Sequence, residues 1–229
     1  PVGQIFGYVH DRLFTEDDFK DVENGVLKDG VPKQTFTAKV RPGDIKYVDL
    51  DKNGFIDTYD QMAIGGTENP EIVYGFGVIL RWKELDFGAM FQGIGRTWRI
   101  LSSNIMPASN KGSMYNIFDN YQDRWTVDNQ SQDVFYPRAD YGPNANNSQK
   151  STWWLRNMSF LRLKNLELGY SCPKKWLQGF VISNARVFVR GTNLLTFSKF
   201  NLWDPELATG DGAKYPAMKS VSVGFDITF

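Results

Sequence analysis

The chain has 229 residues, with 26 basic and 26 acidic side chains, a balance that draws it to neither nucleic acid nor anionic lipid. No run approaches the roughly 18 apolar residues of a membrane helix, which leaves a β-barrel as the membrane architecture that composition permits. One cysteine, Cys172, excludes an internal disulfide framework, and one histidine, His10, excludes a histidine-rich metal site. His10 sits in "YVHDRLF", beside no nucleophile, and reads as structural.

The opening "PVGQIFGY" carries neither a charged segment nor an apolar stretch of leader-peptide type, so either a leader has been removed or the chain is a piece of something longer. "GQIFGYVH" is a weak strand. Residues 11–69 then form a long polar connection in which Glu16, Asp17 and Asp18 read as solvated charge. Within it, "DLDKNGFIDTYD" places Asp49, Asp51, Asn53, the Phe55 carbonyl, Asp57 and Asp60 at loop positions 1, 3, 5, 7, 9 and 12, with Gly54 at position 6. These are hard oxygen donors at the spacing that wraps a calcium ion. The last donor is an aspartate instead of the longer glutamate, and the upstream "GDIKYV" looks extended. A stand-alone calcium loop with a structural Ca2+ therefore fits better than an EF-hand, and Asx turns alone could hold the same loop.

"EIVYGFGVILRWKELDFGAMFQG" reads as a hairpin. Tyr74, Phe76, Val78, Leu80 and Trp82 share one face, then Leu85, Phe87, Ala89 and Phe91 after a tight turn at Lys83-Glu84. Arg81 and Asp86 face the other way. Aromatics at both ends suit an interfacial girdle. Residues 96–157 form a second long segment, in which Trp98, Tyr115, Tyr121, Trp125, Tyr136 and Tyr141 lie among Asn and Asp. Rings beside planar polar groups grip sugars or extended peptides, making these the candidate substrate-binding residues. Packing of the loop's own core is the commoner use of any single one. Trp153 and Trp154, beside a strand start, look like belt residues.

"MSFLRLKNLELGYS" shifts phase between Leu163 and Leu166, which predicts a bulge. "ARVFVRGTNLLTF" follows across a compact link, placing Arg186 and Arg190 opposite Val187 and Val189. Lumenal charges of this kind would pair with neighbouring strands or line a path. The segment "NLWDPELATGDGAKYPAM" comes next; its Glu206 is the one carboxylate placed for acid chemistry, without an evident partner. Residues 219–229, "KSVSVGFDITF", alternate unbroken, with Val221, Val223, Phe225, Ile227 and Phe229 on one face. Long and short connections alternate along the chain, as in transmembrane barrels. The fold class expected is all-β, an antiparallel transmembrane barrel. About six strands are countable, or about eight with hairpins inside the long segments. Six cannot close, because an open edge in lipid leaves backbone groups unpaired, so the chain is expected to be a fragment.

In order, "GYVHDRLF", "GDIKYVDLDKNGFIDTYDQMAIGGTENPEIVYGF", "LDFGAMFQG", "WWLRNMSFLRLKNLELGY", "ARVFVRGTNLLTF", "DPEL" and "SVGFDITF" resemble the C-terminal part of SusC/RagA-like TonB-dependent outer-membrane transporters. The resemblance implies the end of a barrel of about 22 strands with a plugged lumen. It implies residence in the cell outer membrane and import of glycan or peptide fragments. It also implies a SusD-like surface lipoprotein as lid and energy from TonB through an N-terminal part that this sequence lacks. The two long segments would be extracellular loops, and Phe225, Ile227 and Phe229 would match the family's membrane-insertion signal. No catalytic residue is implied. The alternatives are a secreted, calcium-braced β-sandwich that binds carbohydrate, and a small complete barrel with a structural role.

Overall fold

The computed structural model describes residues 2–102, 118–140, 144–179 and 181–229. The chain divides into two compact units, Pro1–Glu68 with Arg99–Arg156, and Asn69–Trp98 with Asn157–Phe229. The second long segment thus leaves the second unit and returns to it.

The second unit is one antiparallel sheet of five long strands. These are β1 (Ile72–Trp82), β2 (Leu85–Gly95), β3 (Phe160–Ser171), β4 (Asn184–Ser198) and β5 (Ser220–Thr228), paired as a simple meander in the order β5-β4-β3-β2-β1. Lengths of 9 to 15 residues meet the requirement of about 9–11 for a tilted strand crossing a bilayer. A two-residue turn joins β1 to β2, with Lys83 at φ 55°, the positive φ that tight hairpins demand.

Period-two alternation survives across all five strands. One row runs Leu80, Phe87, Leu168, Val189, Val223, and the next runs Trp82, Leu85, Tyr170, Val187, Phe225. Leu80, Leu168 and Val223 are 58%, 53% and 63% exposed. The opposite face carries Ile79, Gly88, Glu167, Arg190 and Ser222 in one row, with Asp86, Arg81, Arg186 and Asp226 near it.

The expected bulge is present. Met90 faces Asn165 while Phe91 faces Leu163, so Lys164 is an extra residue in β3. Across the other edge, Asn193 and Leu194 oppose it, Asn193 at φ 53°. This inserted residue keeps Leu163 and Leu166 on the same apolar face. Tyr74 lies over Gly93, where a Cβ would meet its ring, and Tyr74 Oη donates to the Phe160 carbonyl at 3.3 Å.

The first unit is built from short ladders. Gln4–Gly7 pairs with Met62–Thr67, His10–Leu13 with Ile45–Tyr47, and Phe19–Asp21 with Val26–Leu27. Lys33–Gln34 runs parallel to Phe55–Ile56. The opening strand therefore does not join the wall sheet. Ile5 and Tyr8 are buried at 6% and 2% exposure, so this segment serves a globular core. The described residues hold five wall-length strands where six were counted, and no closed barrel.

Candidate functional site

The polar face of the wall sheet is a charge ladder. Arg186 is bidentate to Asp86, Nε to Oδ1 at 2.9 Å and Nη2 to Oδ2 at 2.5 Å, and its Nη2 also donates to Glu167 at 2.6 Å. Its Nη1 reaches Asp226 at 3.2 Å, and Arg190 Nε donates to Glu167 at 2.6 Å. Gly169 lies beneath this cluster, and a Cβ there would occupy the space of both Arg186 and Asp86. Of the charges read from sequence, Asp86, Arg186 and Arg190 thus pair with charges on other strands of the sheet. Ion pairs of this geometry fix side chains while leaving the face hydrophilic.

A second charge group anchors the connection between β4 and β5. Arg162, 1% exposed, contacts Asp204 and Glu206, the latter at 3.0 Å, and Lys164 holds Glu206 at 3.0 Å. Asp204 also caps the short helix Pro205–Leu207 by accepting from Glu206 N–H. Glu206 is therefore an ion-paired anchor, which corrects its reading as a carboxylate without partners.

In the first unit the two long segments fold onto each other. Asp44, 1% exposed, accepts from Arg138 Nε at 3.2 Å, Asn144 Nδ2 at 3.0 Å, Asn147 Nδ2 at 2.9 Å and the Arg41 N–H at 2.8 Å. Asn147 Oδ1 accepts the Ile45 N–H, and Asn146 Nδ2 donates to the Ile45 carbonyl. Two side-chain amides thereby complete a backbone edge that a strand would otherwise pair. Arg138 is pulled down by burial, but Asp44 and Asp140 outweigh this and hold its pKa above the ordinary value.

Asp18 corrects another expectation. It is 3% exposed, gripped by both Arg12 Nη atoms at 2.7 Å, by Lys46 at 3.1 Å and by the Thr15 N–H at 2.9 Å. Burial pushes its carboxyl up, yet these partners together hold it at about 2. Its neighbours Glu16 and Asp17 are exposed, as solvated charge should be. His10 is structural, its N–H and Nδ1 both meeting Thr152 Oγ1, at 2.9 and 2.6 Å.

The candidate aromatics separate by burial. Trp125 is 5% exposed and lies against Gly43, whose φ is 86° and whose position admits no Cβ beneath the ring. Tyr136, 2% exposed, donates to Asn120 Oδ1 at 3.1 Å, and burial pushes its hydroxyl up to about 12. Both rings have their faces occupied by protein. Tyr121 is half-buried, with Arg124 4.6 Å from its ring and Tyr136 5.7 Å away. Trp98 is half-buried in the strand Trp98–Ile100. Tyr115 and Tyr141 lie outside the described residues. Trp153 and Trp154 are not belt residues: they are 8% and 1% exposed, and their indole N–H groups donate to the Phe135 and Asn147 carbonyls.

Of the calcium-type donors, Asp49, Asp51 and Asp60 bring carboxylate oxygens within 4.8 Å of one another. Asp49 Oδ1 is buried without a hydrogen-bond partner, while its Oδ2 accepts the Gly54 N–H at 2.8 Å. Asp60 accepts from Leu50 and Asp57 N–H groups at 2.7 and 2.9 Å. Asn53 Oδ1 accepts from Phe55 N–H, and Asp57 Oδ1 from Tyr59 N–H. Lys52 and Gly54 take φ 61° and 87°, which closes the turn. An orphaned buried carboxylate oxygen facing two more carboxylates is an arrangement suited to a hard cation. Phe225, Ile227 and Phe229 are 73%, 53% and 81% exposed.

No protein-family model matches the chain. It is 32% identical over 202 residues to "TonB-dependent receptor P26" of Formosa agariphila, covering 82% of this chain and 20% of that protein. It is 26% identical to "TonB-dependent receptor P3" of the same organism, along 100% of this chain and 22% of the relative. Over 203 residues it is 24% identical to "TonB-dependent receptor SusC" of Bacteroides thetaiotaomicron, covering 87% of this chain and 19% of the relative. The chain thus spans about a fifth of the curated relatives it matches. Among solved structures it is similar to the RagAB peptide importer in its open-open state, with a TM-score of 0.69 and 25% identity, over 99% of this chain and 22% of that one. A closed-closed RagAB structure gives a TM-score of 0.67 and 27% identity, over 99% of this chain and 23% of that one.

Proposed function

The chain is a stretch of a SusC/RagA-like TonB-dependent outer-membrane transporter, and we propose that it supplies wall and extracellular loops for import of oligomeric nutrients. The observation that carries this is the two-sided sheet, with one continuous apolar face left exposed and a charge ladder on the other. A soluble protein would bury so large an apolar patch; lipid makes its exposure favourable. The ladder then faces a wet lumen inside a closed barrel of about 22 strands. A β-sandwich would need a second sheet over Leu80 and Val221, which are 58% and 68% exposed.

In this reading the first unit lies outside the cell and a SusD-like lipoprotein closes over it, as the paired name RagAB suggests. The peptide importer among the similar structures favours peptides over glycans. Energy comes from TonB through parts of the protein beyond this chain. The test is growth of a strain lacking the intact transporter on oligopeptides or oligosaccharides as the sole source. Lost growth on one class assigns the substrate, and unimpaired growth and uptake on both overturns import. Affinity purification of the intact transporter should also recover a surface lipoprotein.

The Asp49, Asp51 and Asp60 cluster is proposed to hold a structural calcium ion, with Asn53, the Phe55 carbonyl and Asp57 completing the shell as the loop closes. Bound cation would satisfy Asp49 Oδ1 and pre-order a loop whose backbone otherwise loses about 1–2 kcal/mol of entropy per residue on fixing. Calorimetry on the full-length transporter should show calcium binding that Asp49→Ala with Asp51→Ala abolishes. Equal heats from both proteins would remove the metal.

A further inference from the structure

Two Asn-Gly pairs stand in the chain, Asn24-Gly25 and Asn53-Gly54, both in the first unit. An asparagine before glycine is open to attack on its own side-chain amide, because the next residue has no side chain to hinder its main-chain nitrogen. The two pairs are held differently. Gly54 is exposed, with φ 87° and nothing within 4 Å of the place a Cβ would take. Asn53 Oδ1 accepts the Phe55 N–H at 2.8 Å, closing a ring of atoms that contains both Asn53 Cγ and the Gly54 nitrogen. That ring holds the two reacting atoms together. The Phe55 N–H also steadies the negative charge that gathers on Oδ1 when Cγ is attacked. Gly54 N–H donates to Asp49 Oδ2 at 2.8 Å, so the attacking nitrogen already faces a proton acceptor. Gly25 N–H instead donates to the Val22 carbonyl at 3.3 Å, and Lys39 and Val40 atoms lie 2.6 and 2.8 Å from where its Cβ would stand. Asn24 is tied to Asp21 through its N–H and Nδ2, at 3.0 and 2.6 Å.

We propose that Asn53 is a self-modifying site, which deamidates through its bond to Gly54 whenever the loop holds no cation. The Gly54 nitrogen bonds to Asn53 Cγ, the Cγ–Nδ2 bond breaks, and ammonia leaves carrying the proton that Gly54 gave up. Solvent water then opens the imide ring, which is accessible because Asn53 and Gly54 are both exposed. Opening at Cγ gives aspartate, and opening at the Asn53 main-chain carbonyl gives isoaspartate. Aspartate adds a carboxylate to Asp49, Asp51 and Asp60, a stronger shell for a hard cation. Isoaspartate lengthens the main chain by one methylene and opens the turn. The modification itself rests neither on import nor on a bound ion; its suppression by calcium rests on the calcium reading above.

The test uses the intact transporter in detergent, kept with a chelator in warm, mildly alkaline buffer, then digested and sequenced by mass spectrometry. Asn53 should convert about tenfold faster than Asn24, the scale on which held reacting atoms outpace loosely placed ones. Aspartate and isoaspartate should both appear, since only the imide ring yields the second. In urea the two rates should converge, because both sites are then plain Asn-Gly pairs. With calcium added to the folded protein, Asn53 Oδ1 is engaged as a ligand, so conversion there should fall several-fold while Asn24 keeps its rate. Equal conversion of Asn53 with and without calcium would remove the ion from the loop and leave the modification standing. Asn53 unchanged in chelator, a rate no greater than that of Asn24, or product without isoaspartate would each overturn the proposal.

Discussion

Arg186 and Asp86 form a bidentate ion pair through the space above Gly169, across the strand that lies between theirs. A glycine there is a steric requirement of the pair. Gly169→Ala should force the two side chains apart and destabilise the folded transporter by about 1–3 kcal/mol, as overpacking does. Gly88→Ala provides the control, because nothing lies within 4 Å of its added Cβ; it should stay within about 0.5 kcal/mol, as surface substitutions do. Urea unfolding of the protein in lipid vesicles measures both, and equal stabilities would separate Gly169 from the ion pair.

Leu168 occupies a middle row of the apolar face, between Phe87 and Val189. Leu168→Arg should cost about 2–4 kcal/mol if that row lies near the bilayer midplane. Leu168→Ala should cost much less, since lipid fills the vacated volume. Folding into vesicles, followed by the mobility change of folded barrels on unheated gels, distinguishes them. Insertion of the arginine variant at wild-type efficiency would place this face away from lipid.

Trp125 packs on Gly43 inside the first unit. Trp125→Ala should therefore destabilise that unit by about 3–5 kcal/mol, seen as faster hydrogen exchange in residues 41–47 and 123–138. A variant that kept native protection and lost only ligand affinity would restore Trp125 to substrate contact.

His10 gives the first unit a pH dependence with a definite sign. Its burial, and then the nearby positive charge of Arg156, lower its pKa below 6.5, against a smaller opposing pull from Asp11. The folded state thus favours the neutral ring, whose Nδ1 can accept from Thr152 Oγ1 at 2.6 Å. With the folded pKa depressed, the contribution to stability is present above pH 6.5 and is lost as pH falls through the folded value. Hydrogen exchange in residues 5–13 and 148–154 of the transporter should speed up between pH 7.5 and 5. His10→Gln should flatten that dependence. A profile unchanged by the substitution would assign it to other groups.

The wall was legible in the sequence because its physics is local. Alternation at period two chooses a face for every residue of a strand, so the hairpin at Lys83-Glu84, the bulge near Lys164 and the apolar row from Val221 to Ile227 followed from residue order alone. The calcium-type loop was equally readable, since its donors lie within twelve positions. Tertiary structure decided what depends on distant partners. Asp44 and Asn147 stand 103 residues apart, yet their hydrogen bond joins two segments that read as separate polar connections. That contact buries Trp125, Tyr136 and Trp154, which sequence alone could equally have assigned to ligand or membrane interface. Asp18 likewise looked solvated until Arg12 and Lys46 closed on it. Residue order sets which groups are polar and which face they share. Only the folded chain sets which of them lose water, because desolvation is a property of the enclosing surface and has no period along the sequence.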